Sequence, residues 1–319
     1  MSILLRRRDF IAGLGGAAAW SLAARAQERG RRVAFLSVGI IGQGDAFLRH
    51  ELAKLGWVEG RNLQLDFRYG AGNSDRVRDF AAELVNLRPD VIVAAGGAPI
   101  RAAQERTQTI PIVFIGGGDV YATGLVKNLA RPDGNITGIT NLFASIGGKW
   151  LEILKDAVPS LERVAYVYNP DIGTRGQGSY FEAIAAAAPV LAVNATEMPF
   201  RNAVDLVHAI DAFAAMPNGG LIVSPAVLAC SEVILTSAAQ HRLPTASGRA
   251  YLIGYGALLD ELFRRGASFV DRILRGAKVA DLPVEYPTRF RLAVNLKMAK
   301  AIGLAIPESF LARADEVIE

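Results

Sequence analysis

The chain has 319 residues, with 35 Lys/Arg against 31 Asp/Glu, three histidines and one cysteine. A single cysteine excludes an intrachain disulfide framework and a cysteine-based metal site. Arg6, Arg7, Arg8, Arg25 and Asp9 lie in the first 26 residues, so the remainder is close to neutral, which excludes a bulk-basic nucleic-acid binder.

Residues 1–26 read as an export leader. Arg7-Arg8-Asp9-Phe10 resembles a twin-arginine signal, a Gly/Ala-rich apolar run follows, and Ala24-Arg25-Ala26 supplies an A-x-A-like cleavage site before Gln27. The apolar run is shorter than the ~20 residues that a membrane span needs. The expectation is a cleaved leader and a mature chain in the periplasm. Cys230 is far from the cleavage site, so it is no lipid anchor, and its apolar neighbours mark it as an inert buried thiol.

From 31 onward apolar strands and amphipathic helices alternate. Strands are expected over 31–39, 63–69, 90–97 and 110–118, with helices over 44–55, 74–87 (Ser74 as the N-cap) and 99–107. The segment 121–146 is rich in Gly, Asn, Thr and Pro, holds no sustained period, and reads as a crossing between domains. The rhythm then restarts: helix 147–157, strand 163–170, helix 177–188, a strand near 190–196, helix 202–215, strand 219–225, helix 229–241, strand 243–248 and helix 257–275. Strand–helix alternation of this length gives right-handed βαβ units. The fold class is therefore α/β, with two doubly wound parallel-sheet lobes joined by a multi-strand hinge. Lobe one is expected over 29–139 plus 255–281, and lobe two over 140–254 plus 282–319.

In open α/β sheets ligands bind beyond the carboxyl ends of the strands. Small and polar residues recur there: Ser37 and Gly39; Gly96, Gly97 and Ala98; Gly116-Gly117-Gly118-Asp119; Asn169; Ser224; Ser247. Glycines admit close backbone approach, and helix starts offer free N–H groups to carboxylates or phosphates. Tyr121, Phe143, Tyr168 and Tyr255 fall near strand ends or crossings and are candidates for stacking on an apolar ligand. Catalytic patterns are absent from the sequence: no G-x-S-x-G elbow, no H-E-x-x-H, no Walker loop, no metal spacing for His50, His208 or His241. The run Gly116–Gly118 lacks the G-x-G-x-x-G spacing and a later acid, so no dinucleotide cofactor is expected, and no metal.

Longer stretches are more specific. LGWVEGRNLQLDFRYG (55–70), RPDVIVAAGG (88–97), TIPIVFIGGGD (109–119), GLVKNLARPDGNITGIT (124–140), KWLEILKDAVPSLERVAYVYNP (149–170), AAQHRLPTASG (238–248) and the stretch 273–318 together resemble the solute-binding proteins of ABC transporters. The resemblance is to the type I periplasmic-binding fold, in the branch that includes tryptophan-uptake-like proteins. It covers essentially all of 31–319. It implies a non-enzymatic, monomeric receptor that closes on a small organic solute, an amino acid or an aromatic or carboxylate compound, and delivers it to permease subunits in the inner membrane. No nucleic acid and no cofactor are expected.

The resemblance implies a hydroxyl residue and proline where Gly97-Ala98 stand, Gly-Asp-Pro at Gly118-Asp119-Val120, an acid at Ala226 and Tyr-Gly-Pro at Tyr255-Gly256-Ala257. An amino-acid ligand needs a carboxylate for its ammonium group, and Asp119 or Asp171 is available for it. The expected ligand contacts are Ser37, Gly39, Gly96, Gly97, Ala98, Asp119, Tyr121 and Tyr255 in lobe one, with Asn169, Ser224 and Ser247 in lobe two. The competing reading is an exported α/β enzyme acting on a small carboxylate through Asp119 or Asp171.

Overall fold

Alternate residues of the first apolar runs go to opposite sides of one sheet. The computed structural model describes residues 30–39, 43–121, 123–170, 176–227, 230–248 and 251–319; the leader expected over 1–26 and the candidate Asp171 lie outside them. Strands β1 (Arg31–Ser37), β2 (Leu63–Tyr69), β3 (Val91–Ala95), β4 (Ile112–Ile115) and β5 (Ile136–Ile139) form a parallel sheet in the order β2-β1-β3-β4-β5. Val33, Phe35, Val91, Val93 and Val113 bury on one face, against helix α1 (Gln43–Lys54) and the later helix Leu259–Leu274. Ala34, Leu36, Ile92, Ala94 and Phe114 bury on the other, against α2 (Ser74–Asn86) and α3 (Gly97–Arg106). Covering both faces explains why these strands read as continuous apolar runs.

Helix α2 is capped one residue earlier than expected. The Asn73 side chain accepts hydrogen bonds from the Asp75 and Arg76 backbone N–H groups at 2.9 and 3.0 Å. An Asn oxygen at that position satisfies two orphan donors, and Ser74 becomes the first helical residue.

The second sheet holds β6 (Arg163–Tyr168), β7 (Asn194–Pro199), β8 (Gly219–Val223), β9 (Thr245–Ser247), β10 (Ile253–Ala257), β11 (Phe290–Asn295) and β12 (Glu316–Ile318). Its order is β12-β11-β10-β9-β8-β6-β7, parallel except for the antiparallel β10–β11 pair. The helices of this half are α4 (Ile146–Ala157), α5 (Gly176–Ala187), α6 (Ala203–Ala214) and α7 (Ser231–Gln240); the Leu259–Leu274 helix, α8, belongs to the first lobe. One apolar cluster built around Trp150, Tyr166, Leu221 and Ile222 is shared by this lobe. Helices α4 and α5 approach closely: a Cβ on Gly147 would lie 2.2 Å from the Tyr180 carbonyl oxygen. The architecture is α/β, two mainly parallel sheets in two lobes.

Four details differ from the sequence reading. The segment 121–146 carries strand β5, paired along β4, so the first passage between lobes begins only after Ile139. The strand placed near 190–196 runs over Asn194–Pro199. Tyr255, assigned to lobe one, pairs with Leu292 in the seven-strand sheet, because β10 satisfies its backbone groups against β11. Residues 282–285, assigned to lobe two, stay with the first: Leu282 and Val284 join its two cores, the Thr137 hydroxyl donates to the Leu282 carbonyl at 2.6 Å, and Glu285 bridges Ile139. Arg265 of α8 holds the Glu285 carboxylate through two guanidinium nitrogens, at the point where the chain leaves lobe one for the last time.

Candidate functional site

Parallel pairing puts the carboxyl ends of β1, β3, β4 and β5 at one edge of the first sheet. At the end of β1 the Ser37 hydroxyl accepts from the Gly39 N–H at 3.1 Å, and the Ser37 and Gly39 carbonyls accept from Gly70 and Ala71. Gly96 has φ 102°, opens α3 with no side-chain cap, and donates its N–H to the Ile115 carbonyl at 3.2 Å. Gly97 and Ala98 follow, half-buried. A Cβ on Gly97 meets only the Gly117 carbonyl oxygen, at 3.7 Å, so a side chain there has room.

Beyond β4, Gly116, Gly117 and Gly118 take φ values of 79°, 96° and 75°, a left-handed run that side chains disfavour. A Cβ on Gly117 would also lie 2.5 Å from Ile100 Cδ1. This loop is fastened to the first interlobe passage. Gly118 N–H donates to Asn141 Oδ1 at 3.0 Å, the Thr140 hydroxyl donates to the Gly118 carbonyl, and Asp119 Oδ2 accepts from Ala144 N–H at 3.4 Å.

The same loop touches the opposite lobe. The Tyr180 ring of α5 packs on Trp150 at 5.5 Å, and its hydroxyl lies 3.4 Å from the Cβ position of Gly118. Burial first, then the neighbouring Tyr166 and Asp119, push the Tyr180 phenol above its ordinary range. Tyr286, on the third passage, is shifted in the same direction by burial and then by Asp119.

On lobe two, Asn169, Ser224 and Ser247 come side by side, because Val167 pairs with Val223 and Val223 with Ser247. All three are buried. The Asn169 amide donates to the Arg201 carbonyl at 3.4 Å, Ser224 Oγ accepts from Ala226 N–H at 3.4 Å, and Ser247 Oγ donates to the Val223 carbonyl at 2.8 Å.

The aromatic candidates separate. Tyr121 is 58% exposed at the rim of lobe one. The Tyr168 ring stacks on Tyr166 at 5.5 Å. The Tyr255 ring lies on Phe290 at 5.5 Å, and its carbonyl accepts from Trp150 Nε1 at 2.8 Å. The structure thus groups Gly96–Ala98 with Gly116–Asp119, and separately Asn169 with Ser224 and Ser247; Tyr121 follows Asp119 at the exposed end of its loop, and Tyr255 follows Gly254, which pairs with Ser247. Asn141, Tyr180 and Tyr286 escaped the sequence reading; a polar side chain just after β5 was the one signal available for Asn141.

Among the described residues no group of three or more His, Cys, Asp or Glu is placed to hold a metal ion. No helix among them is long and apolar enough to cross a membrane.

The strand-end loop of the first lobe thus meets the second lobe at Gly118 and Tyr180. The family model for ABC transporter substrate-binding proteins matches residues 45–318. The chain belongs to that family. Its relatives include the tyrosine-binding protein of Clostridioides difficile, 25% identical over 260 residues, which span 78% of this chain and 73% of that protein. A conserved domain protein from Vibrio cholerae superposes with a TM-score of 0.81 at 26% identity, covering 91% of this chain and all of that one. An ABC domain from Streptococcus pneumoniae in complex with L-Trp gives the same TM-score at 19% identity and the same coverage. The family is one of substrate-binding proteins, not enzymes, and the carboxylate-enzyme reading is set aside for this substrate-binding protein.

Proposed function

We propose that the protein is the exported receptor of an ABC importer, a monomer that binds a small amino acid or aromatic carboxylate between its lobes and hands it to a membrane permease. The observation that carries this reading is the close approach of Gly118 from lobe one to Tyr180 from lobe two, which supports a site shared by the two lobes. Relatives named for tyrosine and tryptophan support the ligand class. The Gly97 and Ala98 N–H groups at the helix start take the anionic group, Asp119 takes an ammonium where the solute carries one, and Asn169, Ser224 and Ser247 close from the other side. A solute touching both lobes favours the closed state by its differential affinity for it, and the permease reads closure. The arginine-led leader fits delivery to the periplasm. N-terminal sequencing of the periplasmic fraction is expected to find a chain starting at or near Gln27; full-length precursor confined to the cytoplasm would sink the export claim.

The binding test is calorimetry with L-tyrosine, L-tryptophan and their deaminated acids. At a ligand concentration of a hundred Kd the protein gains about 2.7 kcal/mol of stability, so a thermal-shift screen finds the binder first. Gly97→Leu leaves the fold intact, because its Cβ has room, but its side chain occupies the cleft. Gly97→Leu and Asp119→Ala are each expected to weaken binding by at least ~1.4 kcal/mol, about tenfold. Wild-type affinity in both would remove this site.

A further inference from the structure

Helix α8 turns two charged side chains toward the third interlobe passage. Glu261 and Arg265 stand four residues apart, the spacing that puts side chains on one helix face. Arg265 holds both oxygens of the Glu285 carboxylate, and the Glu285 backbone is bonded to Gly138 and Thr140 of the first lobe. Glu261 meets the same passage three residues later, and less completely. Its Oε1 accepts from the Thr288 hydroxyl at 3.4 Å and lies 3.6 Å from Arg264. Its Oε2 has no hydrogen-bond partner among the described residues, although Glu261 is only 8% exposed. The passage is thus tied firmly at Glu285 and loosely at Thr288, just before Phe290 opens β11 of the other lobe. The second passage runs beside it, with the Leu258 N–H donating to the Arg289 carbonyl at 3.4 Å.

The geometry points to a hinge switch in which Glu261 changes partner as the lobes rotate, leaving Thr288 for the guanidinium of Arg289, and so sets the balance between two lobe arrangements. It rests on the solute-binding reading above and concerns the hinge, not the solute.

A buried carboxylate oxygen without a donor keeps its desolvation cost uncompensated. The described arrangement therefore carries an electrostatic deficit at this point. Arg289, next to Thr288, is exposed and forms no ion pair among the described residues. Rotation of 286–289 about the Glu285 anchor brings its guanidinium to Glu261, where a planar fork can use both carboxylate oxygens. Apparent affinity scales with the fraction of protein in the binding-competent state. A residue that sets this fraction shifts the affinity for every solute by one factor, whereas a residue that touches solute changes the ratio between solutes.

The experiment is pulsed electron–electron resonance without ligand. Spin labels go on Arg101→Cys of α3 and Glu182→Cys of α5, both exposed, in a Cys230→Ser background. Two interlobe distances are expected. Glu261→Gln and Arg289→Gln are each expected to raise the ratio of described to rotated arrangement by about threefold or more, and Thr288→Val to lower it. The Glu261→Gln, Arg289→Gln double variant is expected to do no more than either single one, because both remove the same pair. In calorimetry with L-tyrosine and L-tryptophan, each variant is expected to shift every measurable affinity by the same factor. A merely structural Glu261 would lower the melting temperature and leave the distance ratio alone. An unchanged ratio in Glu261→Gln or Arg289→Gln, additive effects in the double variant, or one distance throughout would overturn the switch and leave the receptor standing. Should Glu261→Gln fail to fold, the exposed Arg289 and Thr288 variants decide. Stabilisation by no solute in the thermal-shift screen would count against the receptor reading, while the distances still judge the hinge.

Discussion

Gly138→Val is expected to lower the melting temperature by roughly 10 °C, or to prevent folding. Gly138 sits in β5 opposite Phe114 of β4, at φ 152°, and an added Cβ would lie 2.1 Å from the Phe114 carbonyl oxygen and 2.6 Å from its nitrogen. Those are backbone atoms of the strand that β5 pairs with at the sheet edge, so relief requires the two strands to separate. Overpacking of this kind costs ~1–3 kcal/mol, and the strained backbone conformation adds ~1–3 kcal/mol more. Against a total stability of ~5–15 kcal/mol, the loss is large. It also reaches the hinge, because the Gly138 carbonyl accepts from Glu285 N–H at 3.0 Å and Thr140 N–H donates to the Glu285 carbonyl. Circular-dichroism melts of Gly138→Ala and Gly138→Val decide the matter; a midpoint within ~2 °C of wild type for the valine variant would mean that β4 and β5 are not in this register.

Trp150→Ala is expected to cost ~3–5 kcal/mol. Trp150 is fully buried on α4, packs on Tyr180, and comes within 3.4 Å of the Cβ position of Gly248. Its indole N–H donates to the Tyr255 carbonyl at 2.8 Å, which ties α4 to β10 next to the hinge. The alanine variant opens a cavity and loses that bond together. Trp150→Phe keeps much of the volume and loses the donor, so its cost is expected to be nearer ~1–2 kcal/mol. Urea titrations of the two variants separate packing from hydrogen bonding: equal midpoints for the two would show that the ring volume does not matter there.

Both predictions concern places where local pattern carried little information. The stretches 33–36, 91–95 and 112–115 are apolar at every position, and their short length and flanking Gly or Pro fit strands covered on both faces, so β1, β3 and β4 were legible. The second lobe repeated the logic in 163–170 and 219–225. The stretches shared with substrate-binding proteins carried the family, because fold and binding role follow from many positions at once. The strand ends that carry Gly96–Ala98 and Asp119 in one sheet, and Asn169, Ser224 and Ser247 in the other, were legible too, since parallel pairing brings the ends of each sheet to one edge.

Strand β5 was not legible. Ile136-Thr137-Gly138-Ile139 is short, lies among Asn, Gly and Pro, and becomes a strand because β4 supplies its hydrogen bonds and only a glycine fits against Phe114. Context likewise settled Tyr255, whose backbone is claimed by β11 and whose ring is claimed by Phe290. Apolar periodicity and βα punctuation therefore determined which segments became strands and helices, how many sheets form, and which loops could meet a ligand. Tertiary packing decided which residues gather at the Gly118-Asp119 loop: Asn141, Ala144, Tyr180 and Tyr286 come from two interlobe segments and a helix far apart in the chain. Periodicity records only whether a residue is buried along its own element, whereas neighbours across a hinge are set by how two finished lobes dock.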